Sequence, residues 1–337
     1  MFSDQNINDG VSIIISNESI LIPKKIPKGI EILDMFQAMQ KNILEGSIGS
    51  VEDFHNSPFS AENMAQFNNG IVIYVQNNTK LTQPIQLIHH VKNSTNCKLF
   101  PRVFLDIGAG SNVQVIQTEI SDDEKQQYLN SVIEVIVHEN AVLNWTLMQN
   151  WNLLTGHVDT FNIALEKDAV ANYYAYDFGG GFIRRNIIAN LYSTGCDFNL
   201  NGLFLPGKKQ HMDIFSKVYH KAPQCSSNQL FKGVLSGSAS GVFRGLSYVD
   251  NKSCKTNAKQ SNHNLLLSKK AKINSIPQLE IYENDVKCTH GSTTGQINEE
   301  AVFYLQSRGI SRIDATKLMI NGFVNELMNN IENKKLK

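Results

Sequence analysis

A thiol and an imidazole two residues apart, at Cys288 and His290, form the pair in this sequence whose types and spacing best suit chemistry. They lie in PQLEIYENDVKCTHGSTTG, from Pro277 to Gly295, a run that reads as extended. Residues i and i+2 of a strand point to the same face, so both side chains aim at one spot. Thiolate and imidazole are ligands that iron, zinc and iron–sulfur clusters accept. Two ligands do not close a coordination sphere, so a second chain or a labile ligand has to supply the rest. The chemistry of the pair leaves an equal alternative open: Cys is often a small buried hydrophobe, and a lone His is usually just hydrogen-bonded.

Other reactive groupings are weaker. His211-Met212-Asp213, followed by His220 and Cys225, is spread over turns and reads as structural. His89 and His90 point to opposite faces of any strand and cannot share a metal. Gly179-Gly180-Gly181 and Gly207-Lys208-Lys209 lack the Walker A pattern, and glycines in a strand repeat are usually corners. No Gly-x-Ser-x-Gly elbow occurs. Asp106, Glu134 and Asp159 are dispersed rather than paired as a glycosidase cleft requires, although coils can bring distant carboxylates together.

The elements that must position these residues fall into three regions. Residues 1–69 are expected to form a short arm, with Ile13-Ile14-Ile15 as a strand, and then a helical region. Ile30, Ile32, Leu33, Met35, Phe36 and Met39 follow a helical period from Gly29 onward, and a second helix starts near Ser60. Residues 70–297 are strand-like, with a unit of strand, polar turn and strand recurring around Ala109, Ala141, Ala169, Gly195, Ala239 and Ala271. Most spacings are about 26–32 residues, with one longer gap, as in a stacked repeat. An ordinary β-sandwich also shows strands and turns at short spacing. Residues 298–337 turn helical again. Asn298 caps a helix through Gln306, Gly309 ends it, and Ser311 with Asp314 opens another with Ala315, Leu318, Met319 and Gly322 on one face.

The 337 residues, 42% hydrophobic, suffice for one large core or two smaller ones. Thirty-one basic and 31 acidic residues balance, and a neutral chain carries no electrostatic footprint for nucleic acid. No signal-like N-terminus and no apolar run of about 20 residues is present, so neither secretion nor a membrane span is expected. Five scattered cysteines without a CxxC pair point to a reducing cytoplasm and away from a cluster held by this chain alone.

FKGVLSGSASGVFRG (231–245) and TNAKQSNHNLLLSKKAKINSIPQLEIYENDVKCTHGSTTGQINEEAVFYLQSRGI (256–310) resemble the C-terminal half of the SufB/SufD family of iron–sulfur cluster assembly proteins. The likeness runs nearly without gaps from Phe231 to Ile310 and more loosely upstream from Asn201. SufB members carry Pro-aromatic-Ile-Glu-Cys where this chain has Pro277-Gln278-Leu279-Glu280-Ile281, and His-Glu-Ala-Thr where it has His290-Gly291-Ser292-Thr293. Both departures remove a potential ligand and place the chain on the SufD side of the family.

The resemblance implies a mainly β fold, a right-handed parallel β-helix core flanked by a short helical N-terminal region and a C-terminal helical segment. It also implies a longer helical N-terminal domain than residues 1–69 supply. By implication the chain is a non-enzymatic scaffold that pairs with a SufB-like paralogue. His290, with Cys288 in support, would contribute to a transient iron–sulfur cluster shared at the junction. A SufC-like ABC-type ATPase would dock on the C-terminal helices at Tyr304, Arg308, Gly309 and Ile310, unless these helices only cap the open end of the core. In isolation a homodimer is expected, since unpaired strand edges invite pairing. The alternatives are a β-helix enzyme acting on carbohydrate and a homodimer in iron handling.

Overall fold

The computed structural model describes residues 10–329, apart from 18, 41–48, 50, 52–56, 93–96 and 123. Two sheets face each other, and the chain alternates between them. The first sheet runs β2 (Ser19–Leu21), β1 (Val11–Ser16), β5 (Ile85–Val91), β8 (Asn112–Ser121), β10 (Val142–Asn150), β12 (Val170–Asp177), β14 (Asp197–Phe204), β16 (Ser226–Leu235), β18 (Asn257–Leu266) and β20 (Lys287–Gln296). The second runs β19 (Lys272–Ile281), β17 (Ser240–Val249), β15 (His211–His220), β13 (Phe182–Leu191), β11 (Thr155–Leu165), β9 (Gln127–Val137), β7 (Pro101–Ile107), β4 (Asn69–Val75) and β3 (Ile30–Asp34), with β6 (Cys97–Leu99) also on β9. All neighbours are parallel except β2 on β1 and β3 on β4, which end the two sheets antiparallel. This is a β-helix, and the sandwich alternative is set aside.

Each coil repeats one corner. Asn140, Asp168, Gly195, Gln224 and Lys255 all have left-handed φ, between 54° and 80°. Each precedes a small buried residue, namely Ala141, Ala169, Cys196, Cys225 and Thr256. Asn140 donates its backbone N–H to Lys167 O, Asp168 to Thr194 O and Gln224 to Cys254 O at 2.9–3.0 Å, which locks one corner on the next. Glycine relieves this corner at Gly195, where a Cβ would sit 2.0 Å from Asp168 Oδ1 and make that carboxylate turn away. The longer gap in the sequence repeat falls at Gln224-Cys225, where a thiol fills the alanine niche. Ala239 and Ala271 precede β17 and β19, so they mark corners of the second sheet. Gly179–Gly181 and Gly207 lie in turns between strands, as expected of corners.

Inward residues of the two sheets interdigitate. Trp145, Phe161 and Tyr173 are each buried, with ring centroids 4.3–6.5 Å apart. Each such side chain contributes about 1.5–3 kcal/mol of apolar burial.

The helices lie on the outer faces. α1 (Met35–Gln40) and α2 (Pro58–Gln66) cover part of the second sheet. The sequence expectation of a helix from Gly29 is corrected here. Residues 30–34 form β3, because Ile30 and Ile32 alternate with Glu31 and bury against β4, and the helix begins only at Met35. Ile13-Ile14-Ile15 belongs to β1, in register with β5.

α3 (Glu299–Ser307) is capped by Asn298 and α4 (Arg312–Met328) by Ser311, as the sequence indicates. The apolar face of α4 differs from the expected one. Ala315, Val324 and Leu327 are buried, whereas Leu318 is 51% exposed and Gly322 faces open space. Val324 and Leu327 pack on Tyr176, Leu203 and Val234 of the first sheet's outer face. Tyr176 donates its hydroxyl to Leu327 O at 2.9 Å, and Lys232 donates to Phe323 O and pairs with Glu326. Thus α4 braces the side of the β-helix and does not cover its end.

Candidate functional site

Cys288 and His290 lie on β20, the last strand of the first sheet. β20 stacks in register on β18, with Cys288 opposite Ala258 and His290 opposite Gln260. Ala258, Gln260, Asn262 and Asn264 are the buried, inward residues of β18, so Cys288, His290 and Ser292 share the same inward side of β20. The expectation of a common face for the pair is met. Ser292 Oγ reaches Ser275 Oγ of β19 at 2.8 Å across the gap between the sheets.

Among the described residues no further coil stacks on β19 and β20, so inward positions that are buried elsewhere are uncovered here. His290 is exposed and Cys288 half-buried. Burial pushes the Cys288 thiol up, partly offset by a backbone hydrogen bond at Ala258, so it is held in the protonated form. Directly beneath His290, Gln260 is buried with neither amide atom hydrogen-bonded. Its type and position carry no signal in the sequence; only the stacking reveals it. Among the described residues, no third His, Cys, Asp or Glu lies close enough to Cys288 and His290 to complete a metal site.

The residues assigned to partner docking lie on one exposed corner. Arg308 donates to Tyr304 Oη at 3.0 Å, and its guanidinium stands 5.1 Å from the Tyr304 ring centroid. Gly309 has φ +84°, and Ile310 returns its N–H to Leu305 O, which closes the end of α3. Arg312 bonds Glu299 at 2.8 Å and ties α4 back to the start of α3. Around this corner Phe303, Tyr304, Ile313 and Leu318 are all more than half exposed. Phe303 and Ile313 were not singled out by the sequence, and Leu318 was expected on the apolar face of α4. An exposed apolar position on a helix shows no periodic signal until the buried face is known.

A model of the SUF system FeS cluster assembly SufBD core domain matches residues 89–323. The chain belongs to the SufBD family. It is 34% identical over 236 residues to the iron–sulfur cluster assembly protein SufD of Escherichia coli, covering 70% of this chain and 56% of that protein. It is 31% identical over 303 residues to a SufBD family protein of Synechocystis, covering 87% and 67% respectively, and 27% identical over 300 residues to one of Staphylococcus aureus. The chain thus spans between 56% and 67% of the length of these relatives.

The SufBD core also buries a charged network that the sequence leaves unreadable. Arg185 donates to Asp159 and, at 2.6 Å, to Asp177, while Glu119 lies 3.6 Å from the same guanidinium. Glu119, His157 and Asp159 bring one ligand atom each to within 4.8 Å of one another, a geometry suited to a metal ion. Two features compete with an ion there. Trp151 Nε1 donates to His157 Nδ1 at 3.0 Å, occupying the imidazole lone pair and leaving Nε2–H for Ser131 Oγ at 2.8 Å. The Arg185 charge sits among the carboxylates. Burial and Arg185 together hold His157 neutral, pushing it well below its ordinary value.

The remaining sequence candidates are structural. His211 stacks on Phe182 and bonds Ser240, Asp213 pairs with Arg184, and buried His220 bonds Ser227. His89 is buried, while His90 faces outward to Asp122, as their opposite parity requires. Glu134 pairs with Arg102 in the interior. Among the described residues no helix is long and apolar enough to cross a membrane.

Proposed function

We propose that this chain is a SufD-type, non-enzymatic scaffold of iron–sulfur cluster assembly that receives a SufB-like paralogue on the open end of its β-helix. The observation that carries the reading is that end. Among the described residues β19 and β20 present unpaired strand edges, and the inward side of the last coil offers His290 and Cys288 without a covering layer. A partner strand added there would place its own ligands opposite His290. The cluster is cargo, built at the junction and released. Neutral imidazole suits release because protonation removes it as a ligand, whereas an all-thiolate site holds its cluster harder. Cys288 supports the site from one pleat away, and the unpaired Gln260 amide lies next to the incoming group.

The apolar corner at Phe303, Tyr304 and Ile313 is the docking surface for a SufC-like ATPase. α3 projects from α4, which the first sheet holds rigidly. In the absence of a paralogue the same open end takes a second copy of this chain. The reducing cytoplasm fits five free thiols.

The test is anaerobic cluster formation by the purified complex of this chain with its SufB-like and ATPase partners. His290→Ala should leave the complex intact and cut cluster yield several-fold, with Cys288→Ser milder. Wild-type yield from an intact His290→Ala complex would remove His290 from the site.

A further inference from the structure

The outer face of the second sheet carries a separate concavity of about 830 Å³, several coils away from β20. Its floor is a stack of amides. Asn186 on β13 donates to Thr160 Oγ1 at 3.3 Å and accepts from Arg184 Nε at 3.2 Å. Asn162 on β11 lines the same floor, is fully buried, and has a partner for neither Oδ1 nor Nδ2. An unsatisfied buried polar group costs on the order of 1–3 kcal/mol. The fold therefore keeps a donor and an acceptor side by side that no protein group satisfies.

The wall formed by β15 and the residues just past β13 and β15 is cationic and aromatic. Lys217 Nζ stands 5.0 Å from the Phe215 ring centroid, and Lys221 Nζ stands 4.5 Å from that of Tyr192 and 5.5 Å from that of Tyr219. Arg184 has Asp213 as a counter-ion, but among the described residues neither lysine has an ion-pair partner, and none of the described residues that line the groove is a carboxylate. The opposite rim is the start of α2, where Ser57 caps the helix and the Phe59 ring stands 5.9 Å from the Arg184 guanidinium. The partial positive charge of that helix terminus adds to the lysines.

We propose that this groove binds a mononucleotide-sized anion. Its phosphate would sit at Lys217 and Lys221, its ring edge would satisfy the Asn162 amide, and its ring face would rest on the lining aromatics. Each feature demands a different part of such a ligand. Inorganic phosphate would meet the lysines and leave Asn162 unpaired, and a neutral nucleoside would reach the amide and leave the lysines without a counter-ion. The volume falls within the range of sites for small molecules of this size. Neither the open end nor the α3 corner takes part.

Isothermal titration of the full chain with AMP, adenosine and inorganic phosphate tests the assignment. AMP should bind at least tenfold tighter than either fragment. Lys217→Ala with Lys221→Ala should weaken AMP at least tenfold at unchanged melting temperature. Asn162→Leu should weaken AMP and adenosine, spare phosphate binding and leave the chain no less stable. AMP binding no tighter than phosphate, or equally tight to the double lysine variant, would overturn the proposal. An oligoglutamate peptide that binds where AMP does not would overturn it too, and would assign the groove to an acidic protein segment.

Discussion

Glu119 is a carboxyl group withdrawn from water and left third in line for one guanidinium. Asp159 and Asp177 hold Arg185 more closely, so the proton stays on Glu119, whose carboxyl burial pushes up to about 8. Asp159 is raised less, to about 6, again chiefly by burial. On the surface, hydrogen bonding to Asp106 raises His138 to about 9, with Glu166 adding to the effect. Both Glu119 and His138 hold a proton more tightly folded than unfolded. Their contribution is full below the unfolded values, near 4.5 and 6.5, and is lost as pH rises through about 8 and about 9. Stability, read from thermal melting, should therefore fall as pH rises from 6.5 to 8, by up to about 1.4 kcal/mol per pH unit from buried Glu119. The partly exposed His138 adds a smaller, solvent-screened loss that continues to about pH 9. Glu119→Gln, which mimics the protonated acid, should flatten that slope. An unchanged slope would place the proton elsewhere. None of this was legible in the sequence: Glu119, Asp159, Asp177 and Arg185 come from four strands and meet only because the coils stack. The Cys288/His290 pair was legible, because alternation along one strand is local.

At the scale of elements, local signals succeeded where one residue decides and failed where two patterns overlapped. Asn298, Gly309 and Ser311 mark the ends of α3 and α4 by cap chemistry alone. Ile30 and Ile32 satisfy both a helical and an alternating reading, and pairing with β4 decided between them. The face of α4 depended on the sheet it meets. Leu327→Ala should cost about 2–5 kcal/mol of α4 docking. Faster hydrogen exchange over residues 312–328, with the strands still protected, would report it; uniform loss of protection would mean that α4 and the coils unfold as one. The α3 corner calls for substitution rather than deletion, since removing α4 uncovers Tyr176, Leu203 and Val234. Phe303→Ser with Tyr304→Ala should weaken capture of the ATPase at least tenfold and leave the circular dichroism spectrum unchanged. Undiminished capture would move the docking surface elsewhere.

For the whole molecule, stacking makes stability nearly a sum of neighbouring coils. The last coil, bounded on one side only, is its weakest member and the one that gains most from a partner. The isolated chain should scatter light as a dimer, at twice 37.7 kDa, and dissociate into heterodimers when the paralogue is added. A monomer at micromolar concentration would show that the strand edges of β19 and β20 are tolerable in water.

The antiparallel strands β2 and β3 at the other end have a consequence for supramolecular growth. A parallel β-solenoid open at both ends is a head-to-tail monomer, and each addition would regenerate the surface that captured it. Reversing the strand direction at one end removes the matching template, and β2 is only three residues long. On the proposed pairing the molecule would act like a chain terminator in a polymerisation. If the open end pairs as proposed, association through it would stop at two subunits and no filament would grow.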